Sequence, residues 1–421
     1  MNKLPFFFAI FTLAAFGAAY KIPEQSARSI ALGGAYVAGA EDADAAYFNP
    51  ANMSFMPNKS FFELSATAIY LPSIRFKGKV YYPFESKLKQ ANAKSKSEAF
   101  LVPHMHWVSK EYKGVRFGLS LVTPAGLSKR WHSQPQIWSA EEFTLRVGEI
   151  NPSFSYKLSD TLSIGGGLRA LYSDGKVKVK YPHLFKEDMK GDTDLRWGYN
   201  LALSYRPDPQ LTFATTFRSK IDLKEKGHAT GYLGAFLLTK DPKDLNTLIP
   251  YHTAAKVTVP LPSTWTLAGA LRISQTTKVE VTYERTFWSE YKTLDFDFDD
   301  PSVEAVLGRP KAKNWRDTNT FRVGITHNST SKLTTMIGFA YDQSPVPQSR
   351  VGFELPDADA YILSLGALYR YSDTLRFGIS YLFDYKTERT ISSAARNNNG
   401  IIGKFDEGNA HLLNFSLAYR Y

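Results

Sequence analysis

Histidine and acidic side chains are the residues of this chain whose spacing could support hydrolytic or metal chemistry. His104 and His106 stand two residues apart, and Glu111 follows them near a turn. A hydrolase needs a nucleophile, a base and an acid within reach of one another, and spacing reveals no such set. It reveals no metal motif either, and two histidines two apart are more typical of one strand face. We expect no catalytic site and no metal or other cofactor, with an enzyme kept as an alternative.

Basic residues outnumber acidic ones by 51 to 40, which gives a formal net charge of +11. Lys176, Lys178 and Lys180 alternate with valine, so they belong to a strand and not to a basic helix or arm. We therefore expect solvated loops and a polar interior, and no nucleic-acid partner. Such a surface can still attract anionic ligands. The sequence contains no cysteine, which excludes disulfides and thiolate sites.

Alternation of side-chain type identifies the elements that must position these residues. In the segment 415–421, aromatic residues and leucine occupy the odd positions, and small or polar residues occupy the even ones. This period of two predicts a strand with a different environment on each face. An apolar outward face and a small or polar inward face are typical of a transmembrane β-barrel, which is the fold we predict.

About fourteen segments follow this pattern, an even number as bacterial outer-membrane barrels require. They are 60–72, 101–110, 114–124, 142–157, 161–181, 192–206, 210–225, 261–273, 277–295, 315–328, 331–343, 357–371, 374–390 and 408–421. Short turns alternate with the long connections 73–100, 125–141, 182–191, 226–260, 296–314, 344–356 and 391–407. Short periplasmic turns and long extracellular loops predict an outer-membrane location with both termini in the periplasm. A soluble β-sandwich rarely sorts its loops so regularly.

The N-terminal residues do not follow the strand pattern. Lys3, the apolar stretch after it and the small residues up to Ala19 predict a signal peptide at residues 1–19, cleaved after Ala19. Residues 20–58 are rich in glycine and alanine, and we expect them to fold into the lumen as a plug. A disordered periplasmic tail is the alternative. The barrel should then cover residues 59–421.

Several short motifs occur in a fixed order along these elements. They are residues 32–36 (LGGAY), Asn49-Pro50-Ala51, and residues 150–160, 217–222, 288–290, 315–317 and 340–347. In this order and spacing the sequence resembles the FadL/TodX family, outer-membrane transporters of long-chain fatty acids and other hydrophobic molecules. The resemblance covers essentially the whole mature chain. It implies a fourteen-stranded barrel plugged by an N-terminal hatch.

A transporter of this kind needs an apolar landing site, because the hydrated, anionic lipopolysaccharide layer is a barrier to hydrophobic molecules. Loop 125–141 carries Trp131 and Trp138, and loop 226–260 carries Phe236 in a predicted short amphipathic helix. The resemblance implies that these loops form a low-affinity groove. The alternative, that these side chains only pack the loops together, is compatible with the first and equally open.

A path through the barrel wall needs an irregular strand. The third predicted strand ends at Pro124, which removes a donor from the ladder, and Gly126 permits a bulge. By the resemblance, Gly126 aligns with the glycine of a kinked third strand that opens the wall laterally. The proline is not shared by every family member, and an ordinary strand end remains the alternative.

An inner site for a fatty acid needs an apolar sleeve and a cation for the carboxylate. The resemblance places Ile22 at the N-terminal position that contacts the ligand. It places Lys311 at one basic position, with Lys313 beside it.

The second basic position of the family aligns with Val179, which departs from the family pattern. Lys178 or Lys180 could replace it if the strand register differs. Arg169 is inward by parity and is a further candidate. For each of these residues, a solvated charge in the lumen is the alternative.

The gate of this transporter would be the hatch, with Asn49-Pro50-Ala51 as a turn that fixes it. We expect a monomeric channel for passive uptake of hydrophobic molecules, chiefly long-chain fatty acids, which contacts the lipid bilayer and lipopolysaccharide. A transporter of aromatic or alkane hydrocarbons and a general porin are the alternatives.

Overall fold

Fourteen antiparallel strands form a closed barrel, which confirms the predicted fold class. The computed structural model describes residues 19–82 and 85–421, so the predicted signal peptide lies outside the described residues except for Ala19. The barrel strands are β1 (Phe61–Leu71), β2 (Glu98–Val108), β3 (Val115–Arg130), β4 (Glu142–Lys157), β5 (Leu162–Tyr181), β6 (Arg196–Asp208), β7 (Leu211–Arg218), β8 (Thr264–Arg272), β9 (Thr277–Thr286), β10 (Thr318–Asn328), β11 (Leu333–Asp342), β12 (Ala360–Arg370), β13 (Leu375–Lys386) and β14 (Ala410–Arg420).

The first and last strands close the barrel. β1 pairs with β14, with Phe61 opposite Arg420 and Tyr70 opposite His411. Closure pairs the backbone groups that an open edge would leave exposed to hydrocarbon. Among the described residues, no helix is long and apolar enough to cross a bilayer.

The two faces of the barrel wall differ as the alternation predicts. Leu363 and Phe415 point outward and are 54% and 56% exposed, whereas their neighbours Ser364 and Asn414 point inward and are buried. The same alternation of burial runs along β12 and β14. An apolar outward face is what a barrel needs when its surroundings are lipid.

Short helices occur in the plug and in the long connections. The α-helices are α1 (Ala27–Ala31), α2 (Ala45–Phe48), α3 (Ile137–Ala140), α4 (Phe236–Thr239) and α5 (Pro301–Leu307). The 3₁₀ turns are Pro50–Phe55, Pro242–Asp244, Trp288–Glu290, Gln348–Arg350 and Ala394–Arg396. None of them belongs to the barrel wall.

The long connections are more ordered than the sequence predicts. Four strands extend the wall at the long-loop end: Phe185–Asp192, Ile221–Gly234, Leu248–Leu261 and Phe296–Phe298. A second sheet comprises Arg75–Tyr82, Lys87–Gln90, Ala93–Lys94, Arg389–Ile391 and Ile401–Asp406, and Thr293–Leu294 pairs with Lys311–Ala312. The long-loop end therefore has a packed core of its own.

Two of the predicted strands run well past the observed ends, and the third strand, predicted to end at Pro124, continues to Arg130. The seventh, predicted over 210–225, ends at Arg218, one residue before Ser219, which bonds both β6 and a side chain of β5. Its N–H donates to the Tyr199 carbonyl, and its carbonyl accepts from Arg169. The ninth, predicted over 277–295, ends at Thr286 before a 3₁₀ turn.

The short amphipathic helix predicted around Phe236 forms in part, as α4 and the 3₁₀ turn Pro242–Asp244 that follows it. Residues 221–234 and 248–261 form a continuous antiparallel hairpin. The hairpin satisfies the backbone groups of this segment by cross-strand pairing, which leaves only the tip free to turn.

Residues 19–56 pack against the inner face of the barrel wall and are mostly buried, many of them alanine or serine. The contacts are close enough to require glycine in the wall. A Cβ added to Gly338 of β11 would lie 2.0 Å from the carbonyl carbon of Leu32. Glu280 of β9 anchors the same segment, because its carboxylate accepts hydrogen bonds from the N–H groups of Val37, Ala38 and Gly39. We call residues 20–58 the hatch.

Candidate functional site

The start of the hatch pairs with the third strand like a short additional strand. The N–H of Ile22 donates to the carbonyl oxygen of Pro124 at 2.9 Å, and the N–H of Gly126 donates to the carbonyl oxygen of Tyr20 at 2.9 Å. Lys21 between them forms an antiparallel bridge with Ala125. The N-terminal residues are therefore part of the inner wall.

A bulge in β3 creates the edge that the hatch occupies. Opposite β4, the register shifts between Val122 and Ala125, so that Thr123 and Pro124 face the single residue Gly148. An extra residue bends the strand and leaves backbone groups outside the ladder. The side-chain amide of Gln25 bonds both backbone groups of Thr123, donating to its carbonyl and accepting from its N–H at 2.9 Å each.

The wall between β2 and β3 contains a gap, which we call the lateral window. Within the described residues, the ladder between these strands covers only Met105–Val108 and Gly118–Leu121. The strands meet again at the long-loop end, where Lys96 N–H donates to the Arg130 carbonyl at 2.9 Å. Residues 98–104 and 122–129 thus border an opening whose β3 side is covered by residues 20–25.

A narrow apolar cavity of about 50 Å³ lies beside this covered edge. Tyr20 forms part of its wall. The other apolar lining residues are Leu127, Phe143, Leu145, Val177, Met189, Val257, Val259, Tyr291, Leu294, Phe296, Trp315 and Leu355. The start of the hatch therefore lies between an apolar pocket and the window.

Aromatic rings fix Tyr20 in this position. Its ring lies edge-on to Trp288 at a centroid distance of 4.9 Å and packs against Trp315 at 5.7 Å. Its hydroxyl donates to the carbonyl oxygen of Pro260. Such edge-to-face pairs add about 0.5–1.5 kcal/mol each beyond the area they bury.

One ammonium group of the cavity wall is already paired with a carboxylate. Lys313 Nζ lies 2.7 Å from Glu354 Oε1, and both residues line the cavity. Burial alone would raise the pKa of Glu354, but the ammonium of Lys313 holds it below its usual range. A ligand carboxylate would therefore have to compete with Glu354 for the ammonium group of Lys313.

A second carboxylate of the cavity wall responds to pH near neutrality. Burial raises the pKa of Glu225 to about 7, a hydrogen bond from the Ser173 hydroxyl opposes this, and Asp174 and Asp192 raise it further. Glu225 Oε1 accepts that hydrogen bond at 3.0 Å. The charge of the cavity lining therefore changes between about pH 6 and pH 8.

Comparison with known proteins identifies the family. Residues 8–421 match the family described as outer membrane protein transport protein (OMPP1/FadL/TodX). The chain belongs to this family. A long-chain fatty acid transport protein of Escherichia coli O6:H1 is 25% identical, over 92% of either chain. Outer membrane protein P1 of Haemophilus influenzae is 23% identical, over 87% of this chain and 85% of the relative.

Solved structures share the fold of this OMPP1/FadL/TodX member. A Pseudomonas aeruginosa FadL homologue superposes with a TM-score of 0.82 at 18% identity, covering 96% of this chain and 99% of the other. The toluene transporter TodX of Pseudomonas putida superposes with a TM-score of 0.68 at 16% identity, covering 97% and 99%. At these identities the likeness concerns the fold alone.

Three of the residues predicted from the sequence meet in this member of the family. Ile22 is buried, and its N–H bonds the carbonyl of Pro124. The N–H of Gly126 bonds the carbonyl of Tyr20, two residues before Ile22. The two predicted lysines, Lys311 and Lys313, lie in different surroundings. Lys313 lines the cavity, whereas Lys311 is exposed, with its ammonium 5.9 Å from the centre of the Phe296 ring.

The other two predicted cations lie away from the cavity. Arg169 is inward, as its parity predicts, but its guanidinium bonds Glu149 at 2.9 Å and the Ser219 carbonyl at 2.7 Å. Lys178 lies 3.3 Å from Asp188 on the opposite sheet face from Val179, which is buried. Neither side chain faces the apolar cavity.

The predicted loop residues differ in exposure. Trp131 is fully buried and donates to the Phe353 carbonyl at 2.9 Å, so it belongs to the loop core. Trp138 is partly exposed and stacks on Tyr181 at 4.1 Å, in the wall of an open groove. Phe236 is partly exposed on α4 and does not line that groove.

The Asn49-Pro50-Ala51 turn fixes the hatch to the wall. Asn49 Nδ2 donates to the Val37 carbonyl at 3.0 Å and to Ser204 Oγ at 2.9 Å, and the Ala51 carbonyl accepts from Ser163 at 2.7 Å. The turn presses against a glycine of β5, since a Cβ on Gly165 would lie 2.5 Å from the Ala51 nitrogen.

Sequence reasoning missed Gln25, Tyr20 and Glu225 as site residues. For Tyr20, its position directly after the predicted cleavage site was a signal in the sequence that could have identified it. The two histidines act within the plugged lumen: His106 Nε2 lies 2.9 Å from the Gln25 carbonyl oxygen, and His104 bonds Thr67 at 3.1 Å.

Proposed function

We propose that this chain is an outer-membrane channel for passive uptake of hydrophobic molecules, with long-chain fatty acids as the leading substrate. The observation that carries the proposal is the apolar cavity walled by Tyr20 beside the lateral window. Tyr20 lines the cavity, and it belongs to the segment that pairs with β3 beside the gap in the wall. The names of the relatives in Escherichia coli favour a fatty acid.

Capture would begin in the open groove of the long loops. Trp138, Tyr181 and Leu88 supply apolar surface there, next to polar side chains of residues 397–399. Exposed apolar patches on segments that face water are typical of binding sites. An amphiphile can therefore leave the hydrated lipopolysaccharide layer without first entering the barrel.

Exit would require only a local movement of the hatch start. The pairing of residues 20–22 with β3 is a short stretch of backbone hydrogen bonds, and the turn at Asn49-Pro50-Ala51 holds the rest of the hatch in place. A ligand that binds better when the backbone pairing of residues 20–22 with β3 has opened shifts this equilibrium by its differential affinity. No energy source is needed for such a gate.

A neutral aromatic hydrocarbon is the second candidate substrate. The specific observation in its favour is that Lys313 is already paired with Glu354 at 2.7 Å. The cavity can therefore hold an uncharged molecule without an unbalanced cation. The fold is also shared with a toluene transporter.

The deciding experiment is uptake in a host that lacks its own transporter. Cells expressing the wild type, Lys313→Ala or Lys311→Ala receive either labelled palmitate or labelled toluene. A fall in palmitate uptake for Lys313→Ala with Lys311→Ala unchanged supports a carboxylate-recognising site. If toluene uptake is unchanged in both variants and palmitate uptake is low, the hydrocarbon is supported as the substrate. Leakage of small hydrophilic solutes alone would refute the gated channel in favour of a porin.

The proposed orientation places both termini in the periplasm after removal of residues 1–19. Ser60 and Tyr421 exchange backbone hydrogen bonds of 2.8 and 3.0 Å at the short-turn end. At the other end, Lys180 and Lys186 stand directly opposite each other on an outward sheet face. Like charges in register are unfavourable without a counter-ion, which fits contact with lipopolysaccharide phosphates. We propose that the protein works as a monomer.

A further inference from the structure

A polar cavity lies beneath the hatch, at the opposite end of the barrel from the apolar one. Its volume is about 520 Å³, and it opens at the short-turn end, between residues 38–41 of the hatch and the terminal residues of several strands. We call it the basic vestibule. It shares no lining residue with the apolar cavity.

The vestibule is lined by the terminal inward-facing cations of six strands. They are Arg206, Arg272, Lys278, Arg370, Arg376 and Arg420. Arg28 of the hatch and Lys332 of a turn add two more, and among the described lining residues Glu41 is the one carboxylate. A concave site with one sign of charge and low-dielectric walls concentrates counter-ions.

Hatch carboxylates neutralise only part of this charge. Asp42, buried behind the lining, bonds Arg376 and lies 3.4 Å from Arg420. Lys278 lies 3.2 Å from Glu41, and Arg28 lies 3.5 Å from both Glu41 and Asp42. Four of the eight lining cations are therefore paired with hatch carboxylates.

The remaining cations have no carboxylate partner within the described part of the chain. Arg206 donates to the Thr212 hydroxyl at 3.2 Å and lies over the Phe55 ring, and Arg370 bonds the Ser331 carbonyl. Among residues 19–82 and 85–421, no acidic group lies within ion-pair distance of Arg272 or Lys332. The hatch carboxylates therefore form no direct ion pair with these four cations, although the charge of Glu41 acts on Arg206 and Arg272 from a longer distance.

We propose that the basic vestibule binds a small multivalent anion that carries phosphate or carboxylate groups. Guanidinium groups present paired N–H donors that match both oxyanions, and the hydroxyls of Thr212, Thr330 and Thr334 also line the space. The bound anion would bridge the hatch to β6, β8 and β12. In the proposed orientation the site faces the periplasm, and it does not depend on the transported molecule.

Calorimetry on the purified full-length protein in a neutral detergent tests this site with inorganic pyrophosphate and, separately, citrate. The test variant is Arg272→Gln/Lys332→Gln, which leaves the pairs of Asp42 and Glu41 intact. The matched control is Lys256→Gln, an exposed lysine at the long-loop end. We expect saturable binding that weakens with salt, at least tenfold weaker in the double variant and unchanged in the control.

Two outcomes would overturn the proposal. One is the absence of saturable binding of either anion at low salt. The other is equal affinity in the wild type and the double variant, measured while the melting temperatures agree. Binding of hexaglutamate without binding of pyrophosphate or citrate would also refute it, in favour of a protein partner. Binding of only one of the two small anions supports the site and identifies which oxyanion it prefers.

Discussion

The side-chain amide of Gln25 takes the place of a neighbouring strand for Thr123, bonding its N–H and its carbonyl at 2.9 Å each. Both groups belong to the bulge of β3, where pairing with β4 is interrupted. The plug and the irregular part of the wall therefore stabilise each other. Displacing residue 25 leaves two buried backbone groups unpaired.

Gln25→Ala should loosen the start of the hatch. Each buried group left unsatisfied costs about 1–3 kcal/mol, so the melting temperature should fall and leakage of small solutes through the window should rise. Single-channel recording and thermal unfolding measure the two effects. Gln90→Ala, at an exposed loop residue, is the control. Unchanged conductance in Gln25→Ala would contradict the role of this contact.

Gly338→Ala should destabilise the plugged barrel, because its Cβ would lie 2.0 Å from the Leu32 carbonyl carbon. Gly269→Ala is a matched control in another wall strand, where the nearest atom is 3.7 Å away on Phe213. Overpacking typically costs about 1–3 kcal/mol. Thermal unfolding should separate the two variants, and equal melting temperatures would argue against a tightly seated hatch.

Tyr20→Ala should weaken ligand binding in the cavity while Tyr20→Phe preserves it. The ring packs against Trp288 and Trp315, and removal of a buried aromatic ring costs about 3–5 kcal/mol. Phenylalanine keeps those contacts and loses only the bond to Pro260. Binding of a fluorescent fatty acid to purified protein gives the comparison. Equal affinity in the wild type and Tyr20→Ala would remove Tyr20 from the site.

The affinity for a fatty-acid anion should rise as pH falls from 8 to 6. The pKa of Glu225 is raised to about 7, chiefly by burial, so its carboxylate is charged at pH 8 and largely neutral at pH 6. Protonation removes a negative charge from the cavity wall and with it a repulsion of the ligand carboxylate.

Glu225→Gln tests this prediction, because it should bind with the low-pH affinity at both values. Toluene binding serves as the uncharged control and should not change with pH in either protein. A pH dependence that persists in Glu225→Gln would assign the titration to another group.

The barrel was predictable because every strand carries its own alternation of side chains. The surroundings of the cations were less predictable. The alternation along a strand shows which side of the wall a residue faces, but it does not show which groups the side chain bonds. Arg169 is inward as predicted, yet Glu149, twenty residues away in sequence, occupies its guanidinium. Lys313 and Lys311 share a strand face in sequence terms, and only the fold of the loops places one in the cavity and leaves the other exposed.

The extent of secondary structure in the loops was missed for a different reason. Pairing of residues 221–234 with 248–261 and with 185–192 depends on long-range register that no local pattern reports. The same holds for Gln25, which acts on a residue 98 positions later in the chain.

The pairing of residues 20–22 with β3 should protect the protein from aggregation during assembly. The lateral window leaves a short free strand edge inside an otherwise closed sheet, and free edges invite strand addition by other chains. Because Tyr20 and Ile22 bond that edge, the start of the hatch occupies the place where a second polypeptide could pair. Deletion of residues 20–22 should therefore make the protein prone to aggregation.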